Sequence, residues 1–190
     1  MILNKKDYVS YLNQDKKALG IDKVNFLREL IAPNYIWSFQ KTLRKLEYYQ
    51  NSKTGVLNKL IFNVVKYKFR KKSLKLGFSI PPNVFGPGLS IVHYGTIVIN
   101  SNTKVGKNCR IHACTNIGAS GGQPEAPQIG DNVYIAPGAK IYGNINIANN
   151  IAIGANAVVN KSFNEDGILL AGNPAKKIKN IDIRRIIKHI

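Results

Sequence analysis

The chain is 190 residues long, enough to bury most of the apolar surface of one domain without disulfide staples. A hydrophobic fraction of 44% and a charged fraction of 20% are those of a globular protein, whereas a formal net charge of +18 calls for a partner or substrate of opposite sign. The opening MILNKKDYVSYLNQDKK has no apolar core of signal-peptide length, and no window approaches the ~18 apolar residues of a membrane span; a cytoplasmic protein is expected.

The charge sits mainly at the front. Residues 1–77 hold 17 Lys and Arg against 5 Asp and Glu, residues 78–164 hold 5 against 2, and residues 165–190 hold 6 against 3. The first third is also helical in period. Tyr35, Ile36, Trp37 and Phe39 with Leu43 and Leu46, then Leu57, Leu60, Ile61, Val64 and Val65, follow the spacing of amphipathic helices. Turns are expected near Ala32-Pro33-Asn34 and from Asn51 to Gly55. The run from Lys66 to Lys72 interleaves basic and aromatic residues, a pattern open to three readings: a nucleic-acid stacking surface, a membrane-surface or anionic-substrate contact, and a solvated helix face. With no recognised nucleic-acid module in the chain, no nucleic-acid partner is expected.

After Gly77 the period becomes six. From His93, every sixth residue reads His93, Ile99, Val105, Ile111, Ile117, Gln123, Ile129, Ile135, Ile141, Ile147, Ile153, Val159, and ten of these twelve are Ile or Val. The next position is usually small, as in Gly106, Gly118, Gly130, Ala136, Ala148 and Gly154. Six matches neither a helix nor an alternating strand, but it suits a solenoid in which three short strands close one triangular coil and the aliphatic residue of each rung points inward. On that phase His93 occupies a core position at the first turn of the coil, where it either caps the solenoid or does chemistry.

Residues 119–128 interrupt the pattern with two prolines, two glycines and Gln123. A loop thrown outward suits them better than a degenerate rung, because proline removes ladder donors and an inward Gln123 would bury an unpaired polar group. Cys109, His112 and Cys114 lie on one short segment without a second ligand pair, so two small buried thiols are expected and no metal.

The segments GPGLSIVHYGTIVIN, IGDNVYIAPGAKIYGNI, IGANAVV and AGNPAKKIK resemble the hexapeptide-repeat acyltransferases, more narrowly their serine acetyltransferase branch and the related polysaccharide O-acetyltransferases. The resemblance implies a mainly β fold, a left-handed parallel β-helix over residues 78–164 with a loop at about 119–128, preceded by a basic α-helical region (1–77) and followed by a C-terminal tail (165–190). The left hand comes from the family, since the usual crossover rule favours the opposite.

The resemblance further implies an acetyl-CoA-dependent O-acetyltransferase without metal, with His93 as general base; histidine ordinarily titrates near ~6.5, which suits that work at neutral pH. Backbone N–H groups near Gly118 and Gly138 are expected to meet the developing oxyanion. Coenzyme A is expected along the groove between subunits of a homotrimer, beside the strands of Ala136 and Ala155, its phosphates near Lys140, Lys161, Lys176 and Lys177. The loop is expected to reach over the active site. His112, one coil on from His93, is either a surface histidine or a second active-site residue.

Departures from serine acetyltransferases bear on the acceptor. The loop position aligned with their second histidine is Ala126, that of the aspartate orienting the base is about Phe78, and the helical region is shorter than theirs. These departures favour a saccharide hydroxyl in surface-polysaccharide synthesis as acceptor, with the basic helices serving an acidic or lipid-linked substrate or the inner membrane face. Serine O-acetylation for cysteine synthesis, and a non-catalytic β-helix scaffold, are the alternatives.

Overall fold

The structure, a computed structural model, describes residues 1–21, 31–52 and 54–190. Helix α1 (Lys5–Ala18) starts where the Asn4 side chain accepts the Asp7 N–H, and ends on Lys16 and Lys17, so both ends suit the helix dipole. Helix α2 (Tyr35–Ser52) opens with Asn34 accepting the Trp37 N–H and continues through the expected turn at Asn51 as far as Ser52; Lys53, in that same stretch, lies outside the described residues. Helix α3 (Val56–Leu76) stops at Gly77, whose φ of 75° lets its N–H return to the carbonyls of Leu74 and Ser73.

Beyond Gly77 the chain forms a left-handed parallel β-helix of short strands in three sheets. One face stacks β1 (Phe78–Ser79), β3 (Ile97–Ile99), β6 (Thr115–Gly118), β9 (Lys140–Tyr142) and β12 (Val158–Val159). A second stacks β4 (Lys104–Val105), β7 (Gln128–Ile129) and β10 (Asn146–Ile147). The third stacks β2 (Ser90–Ile91), β5 (Arg110–Ile111), β8 (Tyr134–Ile135), β11 (Ala152–Ile153) and β13 (Ile168–Ala171), and is closed by the antiparallel β14 (Lys176–Asn180). The parallel ladder thus runs past residue 164, through β13.

Register builds the core as three columns of inward side chains. They are Ile99-Ile117-Ile141-Val159, Phe85-Val105-Ile129-Ile147-Phe163 and Ile91-Ile111-Ile135-Ile153-Leu170. These columns correct the six-residue phase at two places. His93 is not a core residue: Ile91 holds the inward position, 1% exposed, and two extra residues at the following corner carry His93 outward. Gln123 is on no column, because the chain leaves β6 after Gly118 and re-enters the coil at Gln128, so that Ile117 and Ile129 stand twelve residues apart instead of six, an insertion of six that leaves the periodicity unchanged.

The small residue after each aliphatic one is needed where coils stack. A methyl group added to Gly106 would meet the Gly130 backbone at 2.7 Å. At one corner Asn108, Asn132 and Asn150 adopt φ values of 56–57°, a region that asparagine tolerates, and their side-chain amides bond coil to coil at 2.9 Å.

The helices close the first coil. Gln40, Arg44 and Glu47 lie on one face of α2 and are buried, with Asp15 of α1 beside them. Gln40 donates to the Leu89 carbonyl, Arg44 to those of Phe85 and Gly86, while Glu47 accepts from Asn83 N–H and Asp15 from the N–H groups of Gly88 and Leu89. These side chains make the hydrogen bonds that a preceding strand would have made. At the C-terminal side, Ile183 of a short 3-10 turn (Ile183–Arg185) and Ile187 cover Ala152, Tyr134 and Leu169 on the outer face of the third sheet.

Candidate active site

His93 stands at the corner between β2 and β3. The Gly95 N–H donates to the Leu76 carbonyl at 2.9 Å and the Ile97 N–H to that of Gly77 at 3.0 Å, which ties this corner to the end of α3. Gly95 has φ 132°, and a side chain there would also press on Ala113, so the corner depends on glycine. His93 and Tyr94 are exposed, and among the described residues no hydrogen bond holds the His93 side chain.

One coil on, His112 follows the inward Ile111 and is half-buried. Its ring lies 5.9 Å from that of His93, and the ring of Tyr134, from the next coil, meets it edge-on at 5.3 Å. The main chain is used up, since its N–H donates to Ile135 and its carbonyl accepts from the Thr115 hydroxyl. The ring's Nε2 is buried and, among the described residues, without a partner. Burial, then the charges of Arg110 and His93, hold the His112 pKa below the ordinary histidine value. The fold therefore brings the two histidines together across one coil. Tyr134 was missed in the sequence; its signal was an aromatic on an outward rung position in register with Arg110.

The other expected residues fall less evenly. Ala136 sits in register after Ile135 beside His112 and is buried, while Ala155 is exposed at a turn after β11. Gly118 ends β6 and its carbonyl accepts from Gly143. Gly138 does not offer a free oxyanion donor, because its N–H is committed to the Ala113 carbonyl at 3.1 Å. Lys140 donates to the Cys114 carbonyl, Lys161 lies over the Phe163 ring, and Lys177 pairs with Glu165; Lys176 is exposed on β14.

Residues 119–128 form a loop that leaves at the following corner, between β6 and β7, and is stitched to the preceding coil through Asn102, which bonds Pro124 and Gln128. Among the described residues of this chain, no hydrogen bond or ring contact joins it to either histidine. Ala126 and Phe78, the positions aligned with a loop histidine and an orienting acid, are both buried, Phe78 within the apolar core. Cys109 is buried as expected, but Cys114 is exposed at a corner with φ 62°. Among the described residues no cluster of His, Cys, Asp or Glu could hold a metal ion.

Residues 126–161 match the family model described as bacterial transferase hexapeptide, six repeats. That segment carries the repeat of the hexapeptide-repeat transferases. The named proteins to which the chain is similar are serine acetyltransferases. It is 37% identical over 111 residues to a serine acetyltransferase of Staphylococcus aureus, covering 57% of this chain and 52% of that protein. It is also 37% identical over 145 residues to the enzyme of that name from Staphylococcus xylosus, covering 75% of this chain and 62% of the other. The crystal structure of serine acetyltransferase from Brucella abortus in complex with coenzyme A superposes with a TM-score of 0.72 at 24% identity, over 93% of this chain and 70% of that one, a likeness of fold.

The chain spans about half the length of the curated Staphylococcus aureus relative, 52% of it. These relatives overturn the saccharide acceptor expected from the sequence: the proteins just described carry the name of an enzyme acetylating serine.

Proposed function

We propose that this protein is a serine O-acetyltransferase that uses acetyl-CoA, with His93 as its general base. The observation that carries the proposal is the packing of His93 against His112, 5.9 Å between ring centroids, at a solvent-facing corner of the repeat scaffold that the named relatives match. A serine hydroxyl is a weak nucleophile until its proton is removed. His93 takes that proton as the oxygen attacks the thioester carbonyl carbon; the tetrahedral adduct collapses, the C–S bond breaks, and the imidazolium returns its proton to the departing sulfur. No acyl-enzyme forms.

His112 contributes in two ways. Its lowered pKa keeps it neutral beside His93, so it does not oppose the charge that His93 acquires, and its ring packing restricts the base, for which no carboxylate stands at the aligned Phe78. Coenzyme A supplies the acetyl thioester, and the small residues Ala136, Gly154 and Ala171, which follow His112 in register, leave room for a slender pantetheine arm. Lys176, exposed on β14, is the cation best placed in chemistry to meet phosphate, and a homotrimer would let a neighbour's loop approach the histidines.

The test follows free thiol released from acetyl-CoA by the purified chain with and without L-serine. Serine-dependent release that falls by ~10²–10⁴-fold in His93→Ala is expected. Release that ignores serine removes serine as acceptor, and no release together with no binding of coenzyme A makes the β-helix a scaffold.

A further inference from the structure

The active-site reading leaves one large feature unused, the outward side of α3. Val65, Phe69 and Leu76 of this helix turn inward against the core, and the opposite side is open. There Leu57, Leu60, Val64, Tyr67 and Leu74 recur at steps of three, four, three and seven residues, which at 3.6 residues per turn keeps them in one stripe. Each is more than half exposed: Leu60 59%, Val64 54%, Tyr67 58% and Leu74 84%. A soluble monomer does not ordinarily leave such a continuous stripe in water.

The stripe is bordered by cations on both sides. On the same helical projection Lys59, Lys66 and Arg70 fall along one edge, Lys68 and Lys75 along the other, and α3 contains no Asp or Glu. The ammonium groups of Lys66, Lys71 and Lys75 lie over the rings of Phe62, Tyr67 and Tyr35, so their stems lie along the apolar surface while their charges stay at its rim. No described helix is long and apolar enough to cross a membrane. A second copy laid on this face would set the same cations against themselves, whereas a sheet of anionic head groups over acyl chains complements both parts of the pattern.

We propose that the outward face of α3 docks the protein onto an anionic lipid bilayer, with Leu57, Leu60, Val64, Tyr67 and Leu74 entering the head-group boundary and the flanking lysines and Arg70 pairing with lipid phosphates. The docked helix holds the His93 corner close to the surface, since Gly95 is bonded to the Leu76 carbonyl at the end of the helix. The inference stands whether or not serine is the acceptor.

The full chain is sedimented with vesicles of phosphatidylcholine alone and of phosphatidylcholine mixed with phosphatidylglycerol. Binding to the mixed vesicles is expected to be at least about tenfold tighter and to weaken as salt rises. Leu60→Asp with Val64→Asp, and separately Lys66→Ala with Arg70→Ala, are each expected to weaken it by about tenfold or more while circular dichroism stays unchanged. Equal binding to both vesicle types, or no binding, overturns the proposal. So does a fall in molecular mass when Leu60 and Val64 are replaced without lipid, which makes a second copy the occupant. Capture of an RNA oligomer that depends on Lys66 and Arg70 but not on Leu60 and Val64 overturns it in favour of nucleic acid.

Discussion

Arg44 Nε lies 2.8 Å from Asp15 Oδ2, with both side chains fully buried between the helices and the first coil. Burial works against the guanidinium charge, but Asp15 and Glu47 outweigh it and hold its pKa above the ordinary arginine value. Every polar atom of this group has a use: Asp15 also accepts from Gly88 and Leu89, and Arg44 also donates to Phe85 and Gly86. Asp15→Ala leaves the buried Arg44 with Glu47 as its one carboxylate partner and leaves two coil N–H groups unpaired, and should cost about 3–5 kcal/mol in urea unfolding. Asp15→Leu combined with Arg44→Met and Glu47→Gln should recover part of that loss by removing all three buried charges, while the coil N–H groups of Gly88 and Leu89 stay unpaired.

Core and chemistry separate at neighbouring positions. Ile91 is inward and His93 outward, so Ile91→Ala should destabilise the protein by about 2–5 kcal/mol. His93→Ala should change stability by no more than about 0.5 kcal/mol while removing acetyl transfer. Thermal unfolding and thiol release on the same two variants check both halves.

The lowered His112 pKa carries a pH dependence with a definite sign. The unfolded chain protonates first as pH falls, so the stability linked to His112 is complete above the ordinary value near ~6.5 and is lost as pH falls through the lower folded value. His189 acts in the same direction, through burial and then the charges of Lys17 and Arg110. The Tm should therefore decline on acidification below about pH 6.5, and His112→Gln should make the decline shallower. In an NMR titration the His112 ring should protonate below the ordinary histidine range.

The cysteines should differ in reactivity. Burial pushes the Cys109 thiol pKa up to about 12, whereas Cys114 is exposed. An aromatic disulfide reagent should consume one thiol in the native protein and the second only on unfolding, and Cys114→Ser should abolish the first reaction.

The repeat was legible because each inward aliphatic residue answers to a local rule: six residues per rung, one side chain to the core. Its two misreadings share a cause. An insertion of six residues after Gly118 is a whole rung in length, so it is silent in the period, and the two residues added after Ile91 alter the phase only at the very start of the pattern. Asp15, Gln40, Arg44 and Glu47 were unreadable as a cap because their partners are main-chain groups far along the chain, which carry no side-chain signature.

Sequence alone determined the β-helix, its inward Ile and Val columns and the helical front with its excess of positive charge, since all of these repeat or cluster along the chain. Only the tertiary structure decided that Ile91 fills the core and His93 faces solvent, that the His112 ring lies near His93 with Tyr134 edge-on to His112, and that α2 closes the coil while α3 leaves a basic apolar face open. Those are relations between coils and between faces, and they exist only once the strands are in register and the helices have chosen which side to bury.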